Sequence, residues 1–374
     1  MSSPGINSDN RLLWLRAETK AFEQRTLLTP DVASRLIDAG YDVVVERCTQ
    51  RTFDGSEYEA SGCRLVAAHS WHDAPEHAIV MGLKELEVSD GPFSRRHVHF
   101  AHVYKDQSGW QNLLQQFKND GGSLYDLEYL TDDAGRRIAA FGYWAGFVGA
   151  AVSLLAFCAK HNAEVLGGLN AWPDKSALVS ELKGKLAKLP VQPTALVIGA
   201  LGRCGSGAVE LFDSCGIRCT QWDQKETAAG GPFDAIREHD VLVNCVFVNA
   251  PLPAFTSLEH LSQPHRQLQV ISDVSCDPFG QYNPLPIYDR CTTMAQPVDV
   301  VAFDDAASDA KETSLHLVAI DHLPSLLPRE SSEDFAAQLL PVLLDIDKLD
   351  QDAWARAHDI FLHHIQRLGE EQTS

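Results

Sequence analysis

The chain has 374 residues, 45% of them hydrophobic and 22% charged, which is material for two cored domains and not the composition of a disordered chain. A formal net charge of −20 excludes a general nucleic-acid binder, which needs a basic footprint, and suits anionic membrane surfaces poorly. Nine cysteines without a CxxC pair, and an N-terminus without a basic region followed by an apolar stretch, lead to the expectation of a soluble cytoplasmic protein.

Residues 12–18 (LLWLRAE) predict a strand, and TPDVASRLIDAG a helix entered through Thr29 and Pro30 and stopped by Gly40. YDVVVERC follows as a strand and EYEASGCRLVA as a short helix. AIVMGLK (78–84) and HVHFAHV (97–103) predict two more strands, GWQNLLQQFKND a helix, and SLYDLEYL (123–130) another strand. A long small-residue helix spans about Tyr143 to His161; with Lys160 and two glycines inside, it predicts a buried inter-domain helix rather than a membrane span. After a polar helical segment and a proline-marked linker, TALVIGA (194–200) opens a second α/β unit. Its further strands are RCTQWD, VLVNCVFV and QLQVISDVS, and two amphipathic helices close the chain. Strands alternating with helices predict α/β architecture: two doubly wound parallel sheets covered on both faces.

TALVIGALGRCGSGAVELF runs a buried strand into Gly199, Gly202, Gly205 and Gly207 and then into a helix. Glycines let a backbone approach a pyrophosphate, and a helix N-terminus offers it unpaired N–H groups. The spacing is GxxGxxG rather than GxGxxG, and such glycines also serve as plain turn residues. About 20 residues on, the next strand ends in Asp223, where a carboxylate accepts from ribose hydroxyls and repels a 2′-phosphate, favouring NAD. Arg203 beside the loop is the one feature that could instead greet a phosphate.

Lys84 closes an apolar strand, at the edge where ligands sit in parallel sheets. It reads equally as a partly desolvated base or as a side chain reaching for solvent. Strand alternation puts His97 and His99 on one face, and Val98, Phe100, His102 and Tyr104 on the other. No carboxylate or cysteine spacing supports a metal site, and none is expected. His102 on an apolar face is by itself a core histidine; with Lys84 ending a neighbouring strand, the two form a plausible acid–base pair.

RAETKAFEQRTLLTP, GLKE, FAHVYKDQSGWQNLL, LYDLE, GRRIAAFGYWAGF, IGALGRCGSGA, WDQKET, GGPFD and IDHLPSLLPRE resemble blocks of the fungal-type saccharopine dehydrogenases, the NAD-dependent lysine-forming enzymes of the aminoadipate route, over nearly the whole chain in order. The resemblance implies two Rossmann-like domains similar to alanine dehydrogenase and transhydrogenase, with the active site in the cleft between them. Expected boundaries are 1–138 plus about 328–374 for the substrate domain and 139–327 for the NAD domain. By the same resemblance Lys84 and His102 are the acid–base residues, Arg25 holds a substrate carboxylate, and Glu85 and Glu128 are nearby carboxylates. Gln107, Phe141, Ala145, Ser275, Cys276 and Asp277 line the substrate pocket. Arg136, Gly202, Arg203, Asp223, Thr227, Phe247, Val274, Ile320, Asp321, His322 and Leu323 hold NAD. Cys204 and Cys245 match a pair that bridges in relatives, although thiols are expected in a reducing cytoplasm. Two residues depart from the familiar pattern: Phe247 replaces a tyrosine and Cys276 a small alanine. The implied partners are small molecules (saccharopine, lysine and 2-oxoglutarate), with no nucleic acid, no membrane and a monomer as one open state. An alanine-dehydrogenase-like enzyme is the alternative reading.

Overall fold

The computed structural model describes residues 11–371 apart from 105–108, 247, 249 and 304–313. Gln107 and Phe247 from the expected site therefore lie outside the described residues. The chain divides into two compact units, 1–140 with 331–374, and 141–330.

In the first unit, strands β1 (Leu12–Leu15), β2 (Asp42–Glu46), β3 (Arg64–Val66), β4 (Ile79–Met81), β5 (Arg96–His99) and β6 (Ser123–Asp126) form one sheet in the order β3-β2-β1-β4-β5-β6. All neighbours pair in parallel. Parallel strands covered on both faces need apolar side chains on both, and every residue of β1 and β4 is buried. Helix α1 (Pro30–Asp38) starts where Thr29 Oγ1 accepts the Val32 N–H at 3.4 Å, ahead of a proline that needs no partner for its nitrogen. Helices α2 (Gly55–Ala60) and α3 (Trp110–Asp120) follow. Leu113, Leu114 and Phe117 of α3 pack with Trp14, Phe93 and Leu124, and Phe361 and Leu368 of the C-terminal helix Asp352–Glu371 complete that cluster. Each such side chain stabilises the fold by roughly 1.5–3 kcal/mol.

Two expectations need correction here. EYEASGCRLVA is not one helix: it turns at Gly62 (φ +90°) and enters the short strand β3. Strand β5 stops at His99, so alternation does not reach His102, which is not on an apolar strand face but in a loop with φ +53°. The Phe100 N–H instead donates to the Leu83 carbonyl and the Leu127 N–H to that of His99, both at about the usual length (3.0 and 3.1 Å).

The second unit holds β7 (Thr194–Ile198), β8 (Arg218–Trp222), β9 (Val241–Asn244), β10 (Val270–Asp273), β11 (Asp299–Ala302) and β12 (Ser314–Val318), ordered β11-β12-β10-β9-β7-β8. All pairs are parallel except the edge strand β11. The long helix α4 (Gly142–His161) is the one helix among the described residues long and apolar enough to cross a membrane, yet most of it is buried inside this unit. It packs on α6 (Arg203–Cys215), with α5 (Lys175–Leu186) alongside. The two helices touch backbone to backbone: a Cβ on Gly207 would meet the Tyr143 carbonyl oxygen at 2.0 Å.

Candidate active site

In the first sheet the chain adds β2 and β3 on one side of β1 and then returns with β4 on the other. The carboxyl ends of β1 and β4 thus flank a topological switch point, the place where open α/β sheets bind ligands. Arg16, Glu18 and Lys84 occupy these two ends. The Arg16 N–H donates to the Met81 carbonyl at 2.9 Å, extending the pairing one residue past the strands. Glu18 then takes the Leu83 and Lys84 backbone N–H groups at 2.6 and 3.0 Å. The Arg16 guanidinium, 1% exposed, donates to the Lys84 carbonyl and lies 3.4 Å from Glu18. Gly82 makes room for it, since a Cβ there would sit 2.2 Å from Arg16 Nε. A buried ion pair of this kind costs about 3–5 kcal/mol to break on one side. Lys84 is left half-buried at the crest, with its backbone fixed from three directions.

Arg25 is buried and gripped by Glu23, Nε to Oε1 at 2.8 Å and Nη2 to Oε2 at 2.6 Å. Burial pushes the Glu23 carboxyl up, but the Arg25 guanidinium, and Lys84 after it, hold it below the usual carboxylate range. Lys20 bridges Glu85 and Glu87 at 3.1 and 2.7 Å. Burial also raises Glu85, and its own backbone N–H, Lys20 and His102 bring it down to a net lowering.

His102 Nδ1 lies 3.8 Å from Glu128 Oε2, whose other oxygen accepts from Arg137 at 3.0 Å. Next to it, burial pushes the Asp126 carboxyl up to about 7, against the hydrogen bond from the Glu128 N–H and with help from the Glu128 charge. Lys84 and His102 thus follow neighbouring strands β4 and β5, each beside a carboxylate. By contrast His97 and His99 are fully buried, and burial pushes His97 down to about 3.

In the second sheet β8 and β9 lie on opposite sides of β7, which places a second switch point at the carboxyl end of β7. There Gly199 (φ +84°) turns the chain, Gly202 caps α6, and Gly205 lies against the turn so closely that a Cβ would meet the Gly199 carbonyl oxygen at 2.0 Å. Asp223 directly follows β8; its carboxylate accepts the Leu201 N–H at 2.9 Å and the Gln224 N–H at 2.8 Å, tying this acid to the loop. These residues fit a dinucleotide: a backbone cradle no side chain fills, a helix N-terminus for the pyrophosphate and a carboxylate for the ribose. Thr227 is buried, with its hydroxyl spent on the Asp223 carbonyl at 3.0 Å.

Asp273, at the end of β10 and 0% exposed, is a residue the sequence reading missed. It accepts from Asn244 at 2.9 Å, Ser275 Oγ at 2.6 Å and Tyr288 at 2.7 Å, which ties Ser275 and Tyr288 to the strand end. Val274 and Leu323 approach α4 at Gly149, Ile320 is buried, and Asp321 is exposed. Arg136 is solvent-facing and paired with Asp132. Of the expected substrate residues, Arg25 and Lys84 lie in the first unit, and Phe141, Ala145, Ser275, Cys276 and Asp277 in the second. Cys204 and Cys245 are free thiols in hydrogen-bond contact, not a disulfide.

The fold is that of alanine dehydrogenase. A solved L-alanine dehydrogenase superposes over 96% of this chain and 99% of its own with a TM-score of 0.64, at 15% identity. Residues 14–148 match the family model described as "Alanine dehydrogenase/PNT, N-terminal domain". This fold is built on two Rossmann-like domains, and the loop after β7 fits a dinucleotide. Two relatives narrow this. Saccharopine dehydrogenase [NAD(+), L-lysine-forming] of Neurospora crassa is 46% identical and that of Candida albicans 43%, each over 96% of this chain and 98% of the relative. The chain belongs to the family of NAD(+)-dependent, L-lysine-forming saccharopine dehydrogenases.

Proposed function

We propose that the chain interconverts L-saccharopine with L-lysine and 2-oxoglutarate, with Lys84 and His102 moving the protons. The observation that carries this reading is the full-length likeness to lysine-forming relatives, joined to a lysine and a histidine at adjacent strand ends. Saccharopine is lysine joined through its side-chain nitrogen to the α-carbon of a glutaryl unit. In the oxidative direction Lys84, as the neutral amine, takes the proton from that secondary nitrogen. NAD, when bound at the β7 loop, supplies the hydride acceptor. His102 then removes a proton from the water that adds to the substrate imine, and returns one as the carbinolamine collapses to lysine and 2-oxoglutarate. Glu128 lies 3.8 Å from His102, and Glu85 follows Lys84 in the chain.

The substrate's carboxylates need cationic partners. Arg25 fills that role by exchanging part of its grip on Glu23 for a substrate carboxylate, which explains why it is held buried and oriented rather than loose in solvent. By this reading the first unit is the substrate domain and the second the NAD domain. The nine free thiols support a reducing cytoplasm as its compartment. The test is NADH oxidation with lysine and 2-oxoglutarate, omitting each in turn. Oxidation only with both present is the expected result; oxidation with pyruvate and ammonia instead would overturn the assignment.

A further inference from the structure

Two thiols in the second unit stand face to face. Cys276 Sγ lies 3.1 Å from Cys291 Sγ, about 1 Å beyond the roughly 2.05 Å of a disulfide bond. Both are anchored to one residue. Cys276 Sγ donates to the Ala319 carbonyl at 3.1 Å, and Thr292, next to Cys291, exchanges hydrogen bonds with Ala319 at 2.8 and 2.9 Å. The chain between the cysteines is turned back by Gly280 and Asn283, whose N–H groups donate to Asp277 and Gly280. It is pinned at Tyr288, which donates to Asp273. Cys276 sits at φ +47°, a backbone conformation that non-glycine residues adopt only when their surroundings hold them there. Cys291 is exposed, whereas Cys276 is half-buried.

We propose that Cys276 and Cys291 are a peroxide-reactive dithiol, a modification site that closes to a reversible disulfide. The exposed Cys291 thiolate attacks hydrogen peroxide, giving Cys291 sulfenic acid and hydroxide. The Cys276 sulfur then attacks the Cys291 sulfur, the S–O bond breaks, and the oxygen leaves with both protons as water. Two thiols are oxidised by two electrons and one peroxide is reduced. A dithiol reductant reverses the bond by exchange. The assignment of roles follows exposure: the accessible sulfur meets the oxidant and the inner one resolves it. Closing the bond takes Cys276 Sγ off the Ala319 carbonyl and pins the segment between Ser275 and Asp277. A loss of turnover on closure is the consequence, and that consequence, unlike the bridge, rests on the function proposed above.

Peptide mapping of the reduced full-length protein after treatment with hydrogen peroxide, alkylated and digested without reductant, tests the site. The expected product is one cross-linked peptide pair joining Cys276 to Cys291, two hydrogens lighter than the thiols and released by dithiothreitol. Cys291→Ser removes it, and Cys276→Ala leaves a sulfenic acid at Cys291 that dimedone traps. If both cysteines alkylate fully while Cys204 and Cys245 account for the lost thiols, the proposal is overturned. Bridged protein should lose lysine-dependent NADH oxidation several-fold, while Cys291→Ser keeps its rate through the same treatment. A fully bridged sample with unchanged turnover would refute the effect on the segment and leave the mapped bridge standing.

Discussion

Glu18 holds Lys84 by the backbone: its carboxylate accepts the N–H of Lys84 at 3.0 Å and that of Leu83 at 2.6 Å. Glu18→Gln offers one acceptor oxygen where two are used, leaving a buried N–H facing an N–H. An unpaired group of that kind costs about 1–3 kcal/mol. Turnover should fall about tenfold or more, because Lys84 is then no longer held in position for proton transfer. NADH binding should be unchanged. Unaltered kcat in Glu18→Gln would show that the backbone of Lys84 needs no such anchor.

Lys84→Met keeps the stem's length and removes the amine. General acid–base groups contribute roughly 10²–10⁴-fold, so kcat should drop by that range while the unfolding midpoint and NADH affinity stay near wild type. Steady-state kinetics beside a fluorescence titration with NADH separates the effects, and turnover at the wild-type rate would remove Lys84 from the mechanism.

Asp223 ties down the loop through Leu201, and in the proposed function its carboxylate faces the ribose of NAD. Asp223→Ser should weaken NADH binding about tenfold or more and narrow the preference for NADH over NADPH, because the charge that repels a 2′-phosphate is gone. Titrations with both dinucleotides measure the ratio. A preference that does not change would place the discrimination elsewhere.

Burial lifts Asp126 from the ordinary 3.8 to about 7. A folded value above the unfolded one gives stability that is complete below pH 4 and is lost as pH rises towards 7, because the unfolded chain releases its proton first. Asp126→Asn has no proton to lose there. Relative to wild type it should therefore gain up to a few kcal/mol between pH 4 and pH 7 and remain level above that. Denaturant unfolding of both proteins at pH 4.5 and 7.5 gives the difference, and one independent of pH would refute the raised carboxyl.

Gly207→Ala places a methyl group where the Tyr143 carbonyl oxygen stands. Pushing α4 off α6 should cost about 1–3 kcal/mol, the usual range for overpacking, and lower the denaturation midpoint. Gly216→Ala is not a fair control because of its φ of +70°; Gly184→Ala, on an open face of α5, is, and should be neutral or slightly stabilising. Equal losses in both would show that the contact with Tyr143 is not what Gly207→Ala disturbs.

The long, strongly patterned elements were legible in sequence. Thr29 and Pro30 start α1 where capping chemistry puts them, and the glycines after β7 open α6 as a nucleotide loop should. The apolar run before Lys84 does form a strand, but β4 ends at Met81, three residues short of Lys84. Strand β3 was misread because three residues at a sheet edge carry no period, and β11 and β12 were not recognised. The placement of His102 failed for a different reason. Alternation was extended past His99, where β5 ends, to a residue at φ +53° that no strand geometry allows. Arg16, Glu18, Asp126, Asn244, Asp273 and Tyr288 escaped notice because their roles arise from long-range pairing. Nothing local marks Tyr288 as the donor to Asp273, or Gly82 as the space that Arg16 needs. The grip of Glu23 on Arg25 was within reach, two residues apart, had the pair been tested for burial.

Because the first unit is interrupted, its packing is finished by Phe361 and Leu368 only after residues 141–330 have been made. During synthesis the second unit has all its strands once residue 330 has left the ribosome. The β1–β6 sheet must meanwhile wait with the cluster of Trp14, Phe117 and Leu124 lacking Phe361 and Leu368 of the last helix. Newborn chains therefore pass through a stage in which one half is folded and the other offers apolar surface to chaperones.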